Sequence, residues 1–482
     1  MFLYGVLDFI TILAIIVIFI GSRIIPGPRE WWASISRRPM MAVLIVLSLV
    51  SVFLGQPRGM QSIAENPVDT IRLARILLLG ILAATSIVAI CLTRNRRAPS
   101  GWGIIGMAAY ALLAMGSCVY SNAPILTLWK GFEVLAITLV VMLIAVMMKD
   151  ADDIQHVLNI IYIALSYLII SSLGAAIFNP SEAFTTMAVK GPMAFSLQGI
   201  YPFVNANTLS QVSAIVSAIA LTWMVRSDRN YSAIGPFIVF LASFACLILS
   251  HSRTSIVALL LATFLILFVY RRIMMLLSLF WITTLFALSG MIINYVTPYI
   301  MRGQKMAVFA TLTGRLEFWP EVLKKIWEAP ILGHGFYASQ RVMWNISSVD
   351  NTYLEVVLGI GIVGLFILCI PLLSIIANLW NTRPWKNKIS LNSSIRFLWV
   401  QLASIFIILF IRSFTGPSFQ NLHINLILFA ILIIGAYRLR TITNSILLGD
   451  QGQVPIRSAK GINNVNNAEP ASSKGLLHAG TT

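Results

Sequence analysis

The sequence predicts an all-α integral membrane protein, a polytopic helical bundle. Three observations predict this class. Of the 482 residues, 58% are hydrophobic and 11% are charged, whereas a soluble domain averages about 25% charged residues. The mean hydropathy is +0.86. The apolar residues also fall in runs of about 17 to 25, the length that a helix needs to cross about 30 Å of hydrocarbon.

Thirteen apolar segments can serve as spans, so we expect 12 or 13 transmembrane helices. The first has no basic residue before it, which favours an uncleaved span over a signal peptide. The four cysteines lie singly in apolar runs and are interpreted as packing residues. The predicted spans are 3–20, 40–54, 76–92, 103–120, 125–148, 155–177, 206–225, 233–250, 254–270, 273–296, 351–378, 397–413 and 420–437.

The distribution of Lys and Arg predicts the orientation, because cytoplasmic connections are enriched in both. If the spans alternate, 21 of the 34 basic residues lie on one side, which is therefore cytoplasmic. The N-terminus then faces out and the C-terminus faces the cytoplasm. The net charge of +17 is explained by this bias, so a nucleic-acid partner is excluded.

Four regions follow from this topology. Residues 1–296 are expected to form an N-terminal transmembrane bundle, and residues 297–350 a long outer loop. Residues 351–437 supply the C-terminal transmembrane helices. Residues 438–482 are rich in Gly, Asn, Ser and Ala, and we expect a disordered cytoplasmic tail.

The outer loop 297–350 is longer than a bundle connection requires, and long loops are often functional. Within it, apolar residues repeat at helical spacing opposite a charged face, which predicts an amphipathic helix at the membrane interface. Gly333 and Gly335 follow and allow a tight turn. A lid with a purely structural role is the alternative. The apolar positions are Leu316, Trp319, Leu323, Ile326 and Trp327.

Several arginines lie on the outer side against the positive-inside bias. Arg253 begins a span, Arg302 and Arg315 lie in the loop, and Arg412 ends a span. Each one alone is compatible with snorkelling to the interface. Together they favour a phosphate-binding cluster, because guanidinium groups bind phosphate in a bidentate manner and stay charged. Beside hydrocarbon, such a cluster suits an amphiphile with an anionic head, such as a lipid diphosphate.

Other polar residues near the outer ends are candidates for binding or proton transfer. His251 and Ser252 precede Arg253, and His334 lies in the loop. Histidine can act as an acid or a base near neutral pH. These histidines have no acidic or cysteine companions at metal-ligand spacing, so no metal site is predicted. Lys130 and Glu133 are expected to pair on one helix face.

The stretch "VDNTYLEVV" places polar residues at the start of a span, where charge is costly. Asp350 is interpreted as a catalytic carboxylate that accepts or orients a proton, or as the N-cap of the helix, and one residue can fill both roles. Asn351 lies four residues before Glu355 and could hold it by a hydrogen bond. Tyr353 is either a sugar contact or an anchor at the interface.

Three blocks together resemble the O-antigen ligase and polymerase superfamily, the Wzy-type family of bacterial polysaccharide assembly. They are "HSRTSIVALLLATFLILF", "TLTGRLEFWPEVLKKIWEAPILGHGF" and "DNTYLEVVLGIGIVGL". In order and spacing they cover about residues 250–365. The N-terminal half is similar only as a stack of spans.

The resemblance implies a GT-C-like glycosyltransferase in the bacterial inner membrane, with its site facing the periplasm. Its substrate would be a polyprenyl-diphosphate-linked oligosaccharide, and it would use no nucleotide sugar, cofactor or metal. By position, Arg253 and Arg315 would hold the donor diphosphate. Asp350 occupies the place of the family's histidine. Partners would include the bilayer and the flippase and chain-length regulator of the same pathway.

The substitution at Asp350 favours a polymerase of exopolysaccharide or O-antigen repeats. Ligases that attach polymer to lipid A core usually carry His-Asn at this point, so a ligase is the first alternative. A flippase for the same lipid-linked sugars is the second, although it predicts charges near the midplane. A peptidoglycan glycosyltransferase fits the span count but not the three blocks.

Overall fold

The computed structural model describes residues 38–54, 70–93, 101–186, 195–226, 234–272, 315–337, 339–343, 349–385, 393–416, 418–419 and 422–449. These residues are almost entirely helical, so the predicted all-α class is confirmed. The helices are α1 (Pro39–Phe53), α2 (Thr70–Leu92), α3 (Trp102–Gly116), α4 (Pro124–Met147), α5 (Ala151–Phe178), α6 (Pro180–Ala183), α7 (Ala206–Val225), α8 (Ile234–Leu249), α9 (Arg253–Val269), α10 (Arg315–Glu328), α11 (Ser339–Val342), α12 (Thr352–Asn381), α13 (Ser393–Ser413) and α14 (Ile424–Gly449).

Eight helices in the described ranges are long and apolar enough to cross a membrane, and α1, α8 and α9 are shorter apolar helices. Together they correspond one to one with eleven of the predicted spans. The predicted spans 3–20 and 273–296 lie outside the described residues. The polytopic membrane bundle is therefore confirmed for the described part of the chain.

A short hairpin, formed by β1 (Phe184–Thr186) and β2 (Phe195–Leu197), is the one sheet in the described ranges. Its strands are antiparallel, with Thr185 opposite Ser196. The hydroxyl of Ser196 donates to the carbonyl of Ser250, 3.1 Å away, at the turn between α8 and α9. The hairpin therefore supports the start of α9.

Polar residues cap the ends of several helices. Asp150 and Asp153 form a reciprocal capping box at the start of α5, and Asp153 also pairs with Arg38 before α1. The side chain of Asn205 accepts from the backbone N–H of Thr208 in the first turn of α7. Such caps satisfy backbone N–H groups that have no partner within the helix. They fix where each helix begins.

The core lies between apolar helix faces, and α7 is buried at its centre against α8, α9 and α13. Small polar residues on α7 allow close approach and bond across the interface, as is common between membrane helices. The hydroxyls of Ser217 and Ser243 are 2.7 Å apart, between α7 and α8. Those of Ser210 and Ser255 are 3.0 Å apart, between α7 and α9.

Helix α12 is broken about a third of the way along, where Ile360 and Gly361 leave helical geometry. Gly361 has φ of +68°, a region that favours glycine. The segment 330–335 inserts at this break and bonds to the freed backbone. The N–H of Gly335 donates to the carbonyl of Gly359 at 2.7 Å, and the N–H of Ile362 donates to the carbonyl of Pro330 at 2.9 Å.

The segment 315–343 thus lies at the end of the bundle where α12 begins, which we call the loop end. It also contacts the turn between α3 and α4. The hydroxyl of Tyr120 donates to the carbonyl of Leu332 at 2.8 Å, and the N–H of Phe336 donates to the hydroxyl of Ser117 at 2.9 Å. The segment is therefore fixed to the transmembrane helices on two sides.

The last helix is longer than expected. The sequence placed residues 438–449 in the tail, but α14 continues to Gly449, so that boundary was wrong. Apolar residues such as Leu439 remain buried past residue 437, which explains the extension. Residues 450–482 lie outside the described residues.

Candidate active site at the loop end of the bundle

The predicted amphipathic helix is present as α10, at the loop end. Its buried residues Val322 and Ile326 pack against Val349 and Leu358 of the following segment and α12. Trp327 lies on the opposite face and is 77% exposed. Trp319, predicted at the interface, instead directs its indole N–H to the carbonyl of Val349 at 3.4 Å. The helix therefore covers the start of α12.

Arg315 is the first residue of α10, one helical turn before Trp319. Trp319 contacts Val349, which precedes α12. The N-terminal end of α10 therefore lies near the start of α12, the end at which Asp350 is found. The role predicted for Arg315 stays a prediction. Arg302 lies outside the described residues.

The N-cap of α12 is Asn351, one residue after the predicted Asp350. The side-chain oxygen of Asn351 accepts from the N–H groups of Tyr353 and Leu354, at 2.9 and 3.0 Å. Asp350 lies one residue earlier, in the left-handed region with φ of +52°. Aspartate adopts that conformation more readily than most residues. The cap alternative for Asp350 was therefore wrong.

Asn351 does not hold Glu355 through its side chain, because both of its polar atoms have other partners. Its side-chain N–H donates to the carbonyl of Phe414 at 3.2 Å. The Glu355 carboxylate instead accepts from the N–H of Val349 at 3.2 Å and from the hydroxyl of Ser339. Glu355 therefore ties the segment that precedes Asp350 to the first turn of α12.

The turn between α13 and α14 forms a second wall next to Asn351. The hydroxyl of Thr352 donates to the carbonyl of Gly416 and accepts from the N–H of Ser418, both at 3.0 Å. Tyr353 accepts at its phenol oxygen from the hydroxyl of Ser413 at 2.9 Å. The ring of Tyr353 packs against Phe414, with centroids 5.0 Å apart, so it lies between α12 and this turn.

Arg412, at the end of α13, reaches the start of α9. Its Nη1 atom donates to the hydroxyl of Thr254 at 2.9 Å and to that of Thr415 at 3.2 Å. Arg412 is 5% exposed. Thr254 follows Arg253, the first residue of α9. The structure therefore brings the start of α9, the end of α13 and the start of α12 together.

The turn before Arg253 is held tightly. His251 has φ of +55°, which reverses the chain between α8 and α9. The Ser252 hydroxyl lies 3.1 Å from that of Ser255, which is also bonded to Ser210 of α7. Ser252, predicted to bind substrate, is buried and engaged in this serine network. It thus holds the backbone turn that precedes Arg253.

His334 lies away from these arginines. Its Nε2 atom is 2.9 Å from the carbonyl oxygen of Lys325, and its backbone N–H donates to the carbonyl of Leu358 at 3.0 Å. Leu358 is seven residues beyond Asn351, about 10 Å along the helix. His334 therefore links the end of α10 to the break in α12.

The sequence reasoning missed His423, in the turn before α14. Its Nε2 atom lies 3.2 Å from the hydroxyl of Thr208 on α7. Burial, together with the positive charge of Arg412, lowers the pKa of His423 to about 4. The signal available was the polar run "QNLHIN" between two apolar spans. Its proximity to Arg412 depends on the fold.

Further polar groups extend this wall into α7. The side-chain N–H of Asn425 donates to the side-chain oxygen of Gln211 at 3.0 Å, and both residues are buried. Among the residues that the structure describes, no group of three or more His, Cys, Asp or Glu side chains is placed to hold a metal ion.

These features define an integral membrane protein with a polar, arginine-containing site at one end of its bundle, covered by an amphipathic helix. Residues 238–369 match the family model Wzy_C, described as O-antigen ligase. This match supports the O-antigen ligase and polymerase superfamily for that part of the chain, and members of the matched family are glycosyltransferase-like ligases and polymerases. The matched residues include α9, α10 and the first part of α12. A search of curated protein sequences finds no match.

Proposed function

We propose that the protein is a polymerase that joins polyprenyl-diphosphate-linked oligosaccharide repeats into exopolysaccharide or O-antigen. The reaction takes place at the periplasmic face of the bacterial inner membrane, which is the loop end in the orientation that the basic residues predict. The observation that carries the proposal is the convergence of Arg412 and Thr254 with the start of α12. The family domain supplies the reaction class.

The arginines hold the donor and stabilise its leaving group. As the bond between the anomeric carbon and the diphosphate oxygen breaks, negative charge grows on the diphosphate. Cations fixed before the reaction stabilise that charge without reorganisation. Arg412 is held by Thr254 and Thr415, and Arg253 begins the adjacent helix. Arg315, the first residue of α10, is proposed as a third cation of this group. Their charge is permanent, so the proposed mechanism requires no metal ion.

Asp350 accepts the proton from the acceptor. A hydroxyl oxygen of the acceptor sugar attacks the anomeric carbon of the donor, the glycosidic bond forms, and the hydroxyl proton passes to the carboxylate. A carboxylate is a proton acceptor at neutral pH. The cap at Asn351 and the bond from Val349 to Glu355 fix the backbone on both sides of Asp350. The freed diphosphate stays on the carrier lipid.

A ligase is the second candidate, and the description of the matching family as O-antigen ligase favours it. The polymerase is preferred because Asp350 stands where ligases of the superfamily usually carry histidine. A flippase would use charged groups along the transport path near the midplane. The arginines that carry the proposal lie instead at the ends of α9, α10 and α13, which favours an enzyme.

Deletion of the gene, followed by gel analysis of surface glycans, tests the proposal. Loss of long chains while single repeats remain attached is the result expected for a polymerase. Loss of every repeat from lipid A, with polymer retained on the carrier lipid, would establish the ligase instead. Restoration by wild type, but not by Arg412→Lys, would connect the phenotype to the site.

A further inference from the structure

A second group of cations lies at the loop end, on helices other than those that carry Arg253 and Arg412. Glu133 of α4 is 1% exposed and lies between two cations. Nη2 of Arg75, on α2, is 2.8 Å from one carboxylate oxygen. Nζ of Lys130 is 3.0 Å from the other. The Lys130–Glu133 pair was predicted, whereas the role of Arg75 depends on how α2 packs against α4.

The positive charge of this group exceeds what Glu133 neutralises. Arg75 and Lys130 face a single carboxylate. Arg72, one turn earlier on α2, adds an electrostatic repulsion with the charge of Lys130. Lys130 lies about 9 Å along α4 from its first residue. The side chains of Arg75 and Lys130 are 12% and 19% exposed, so both cations are largely buried. Charge at such depth is costly, and one cation is enough to neutralise Glu133. The second cation therefore indicates an anionic ligand.

Unused hydrogen-bond donors support the same conclusion. In the described part of the chain, the buried Nε–H of Arg75 has no hydrogen-bond acceptor. Lys130 has three N–H donors, and its bond to Glu133 uses one of them. A phosphate group accepts bonds from both kinds of donor.

The group lies next to the candidate active site, on the other side of one short segment. Nζ of Lys130 is 5.0 Å from the ring centroid of Tyr337. Ser339, two residues later, binds Glu355 next to Asp350. Two residues span at most about 7 Å. A ligand at Lys130 is therefore close enough for an attached sugar to reach Asp350.

An apolar stripe on α2 extends from the level of Arg75. Leu73, Leu77 and Ile81 are spaced by four residues and are all exposed, so they form one face of the helix. In the membrane this face contacts hydrocarbon chains. A lipid tail can lie along it while its headgroup reaches Arg75 and Lys130.

We propose that Arg75 and Lys130 bind the diphosphate of a second lipid-linked substrate, the acceptor repeat. This assignment rests on the proposed polymerase, because polymerisation brings two carrier lipids to one site. The donor diphosphate occupies the arginines at Arg253 and Arg412, and the acceptor diphosphate occupies the group around Glu133. The acceptor sugar then extends past Tyr337 to Asp350.

The test counts diphosphates bound to the purified full chain in phosphatidylcholine nanodiscs, by native mass spectrometry. The probe is polyprenyl diphosphate without sugar. Wild type should bind two molecules. Lys130→Met should weaken the binding of the second molecule, the one at the group around Glu133, by about tenfold or more, because a charged hydrogen bond is lost. Lys324→Met removes an exposed charge from α10 and is the matched control, expected to bind two. Two molecules bound equally well by Lys130→Met would overturn the proposal.

Glu133→Gln provides an independent variant in case Lys130→Met does not fold. It removes the carboxylate that competes with the ligand, so the second diphosphate should bind at least as tightly as in wild type. Weaker binding of the second diphosphate by Glu133→Gln would contradict the site. Phosphatidylglycerol in the nanodiscs should not displace the probe. Equal competition would mean that the cations hold bulk phospholipid headgroups, which also overturns the assignment.

Failure of this site and failure of the proposed function give different results. Chain extension by a Lys130→Met protein that still binds two diphosphates with wild-type affinity would refute the acceptor site alone. Two diphosphates bound by a wild-type protein that never extends a chain would refute the polymerase, and the acceptor role with it, while leaving a diphosphate-binding group around Glu133. In either case, Arg412→Lys should weaken only the binding of the donor diphosphate, the one assigned to Arg253 and Arg412.

Discussion

Arg412 and Thr254 are 158 positions apart in the sequence, and the guanidinium of one donates to the hydroxyl of the other at 2.9 Å. This bond joins the end of α13 to the second residue of α9, beside Arg253. Because Arg412 is buried and fixed by two threonines, its charge is held in place before a substrate arrives. This geometry is what the proposed mechanism needs.

Arg412→Lys is expected to reduce chain extension by about tenfold to a hundredfold, because a hydrogen bond to a charged group contributes about 1.5–3 kcal/mol. Lysine keeps the charge but cannot keep the paired donor geometry. Arg440→Lys is the matched control, since Arg440 contacts Asn378 far along α14. Extension assayed in membranes with equal protein levels is the measurement. Equal losses in both variants would argue against a specific role for Arg412.

Asp350→Asn is expected to abolish chain extension without reducing the amount of protein in the membrane. Asparagine has the same shape and tolerates the left-handed conformation at this position, so only the proton acceptor is lost. The cap at Asn351 is unchanged in this variant.

Asn351→Ala serves as the comparison. It removes the cap and should lower the stability of the protein by about 1 kcal/mol. A fully active Asp350→Asn protein would remove the proton-accepting role of Asp350.

Gly361→Ala is expected to destabilise the junction between the loop and α12. A Cβ atom there would overlap the carbonyl of Ile331, and the positive φ costs about 1–3 kcal/mol for such a residue. Faster hydrogen exchange at the amides of His334 and Gly335, with a lower unfolding temperature, is the expected result. Gly174→Ala is the control, because its Cβ would meet no atom within 4 Å. Similar exchange in both variants would contradict the role assigned to the break.

The pH dependence of stability should carry a contribution from His423. Burial and the charge of Arg412 lower the pKa of His423 to about 4, whereas an unfolded histidine has a pKa of about 6.5. Between these two pKa values the unfolded chain binds more protons than the folded chain. The free energy of unfolding that depends on neutral His423 is therefore fully present above about pH 6.5 and is lost as the pH falls toward 4. His423→Gln should show a smaller loss of unfolding temperature between pH 7 and pH 5. An unchanged loss would show that the histidine is not held neutral.

The sequence predicts much of the fold because apolar runs of sufficient length have one stable arrangement in a membrane, the helix. Periodicity in the loop also predicts α10. The break in α12 is hidden, because Gly359 and Gly361 lie in a continuous apolar run that suits an unbroken span. Only the inserted segment 330–335 makes the break favourable.

The site was predictable in its residue types and less so in its partners. Arg253 and Arg412 follow from charge on the unexpected side of the membrane. The shift of the cap from Asp350 to Asn351 depends on bonds to the turn at Phe414, and no local pattern distinguishes the two residues. His423 and Arg75 were missed for the same reason, since their partners lie on helices distant in sequence.

The most direct test of the proposed polymerase is reconstitution of the purified protein in liposomes that contain only polyprenyl-diphosphate-linked oligosaccharide. Analysis of the lipid extract on gels should show a ladder of chains of increasing length on the carrier lipid, and the ladder should be absent with Asp350→Asn. An unextended carrier-linked repeat, transferred only when lipid A core is added, would contradict the polymerase and identify a ligase.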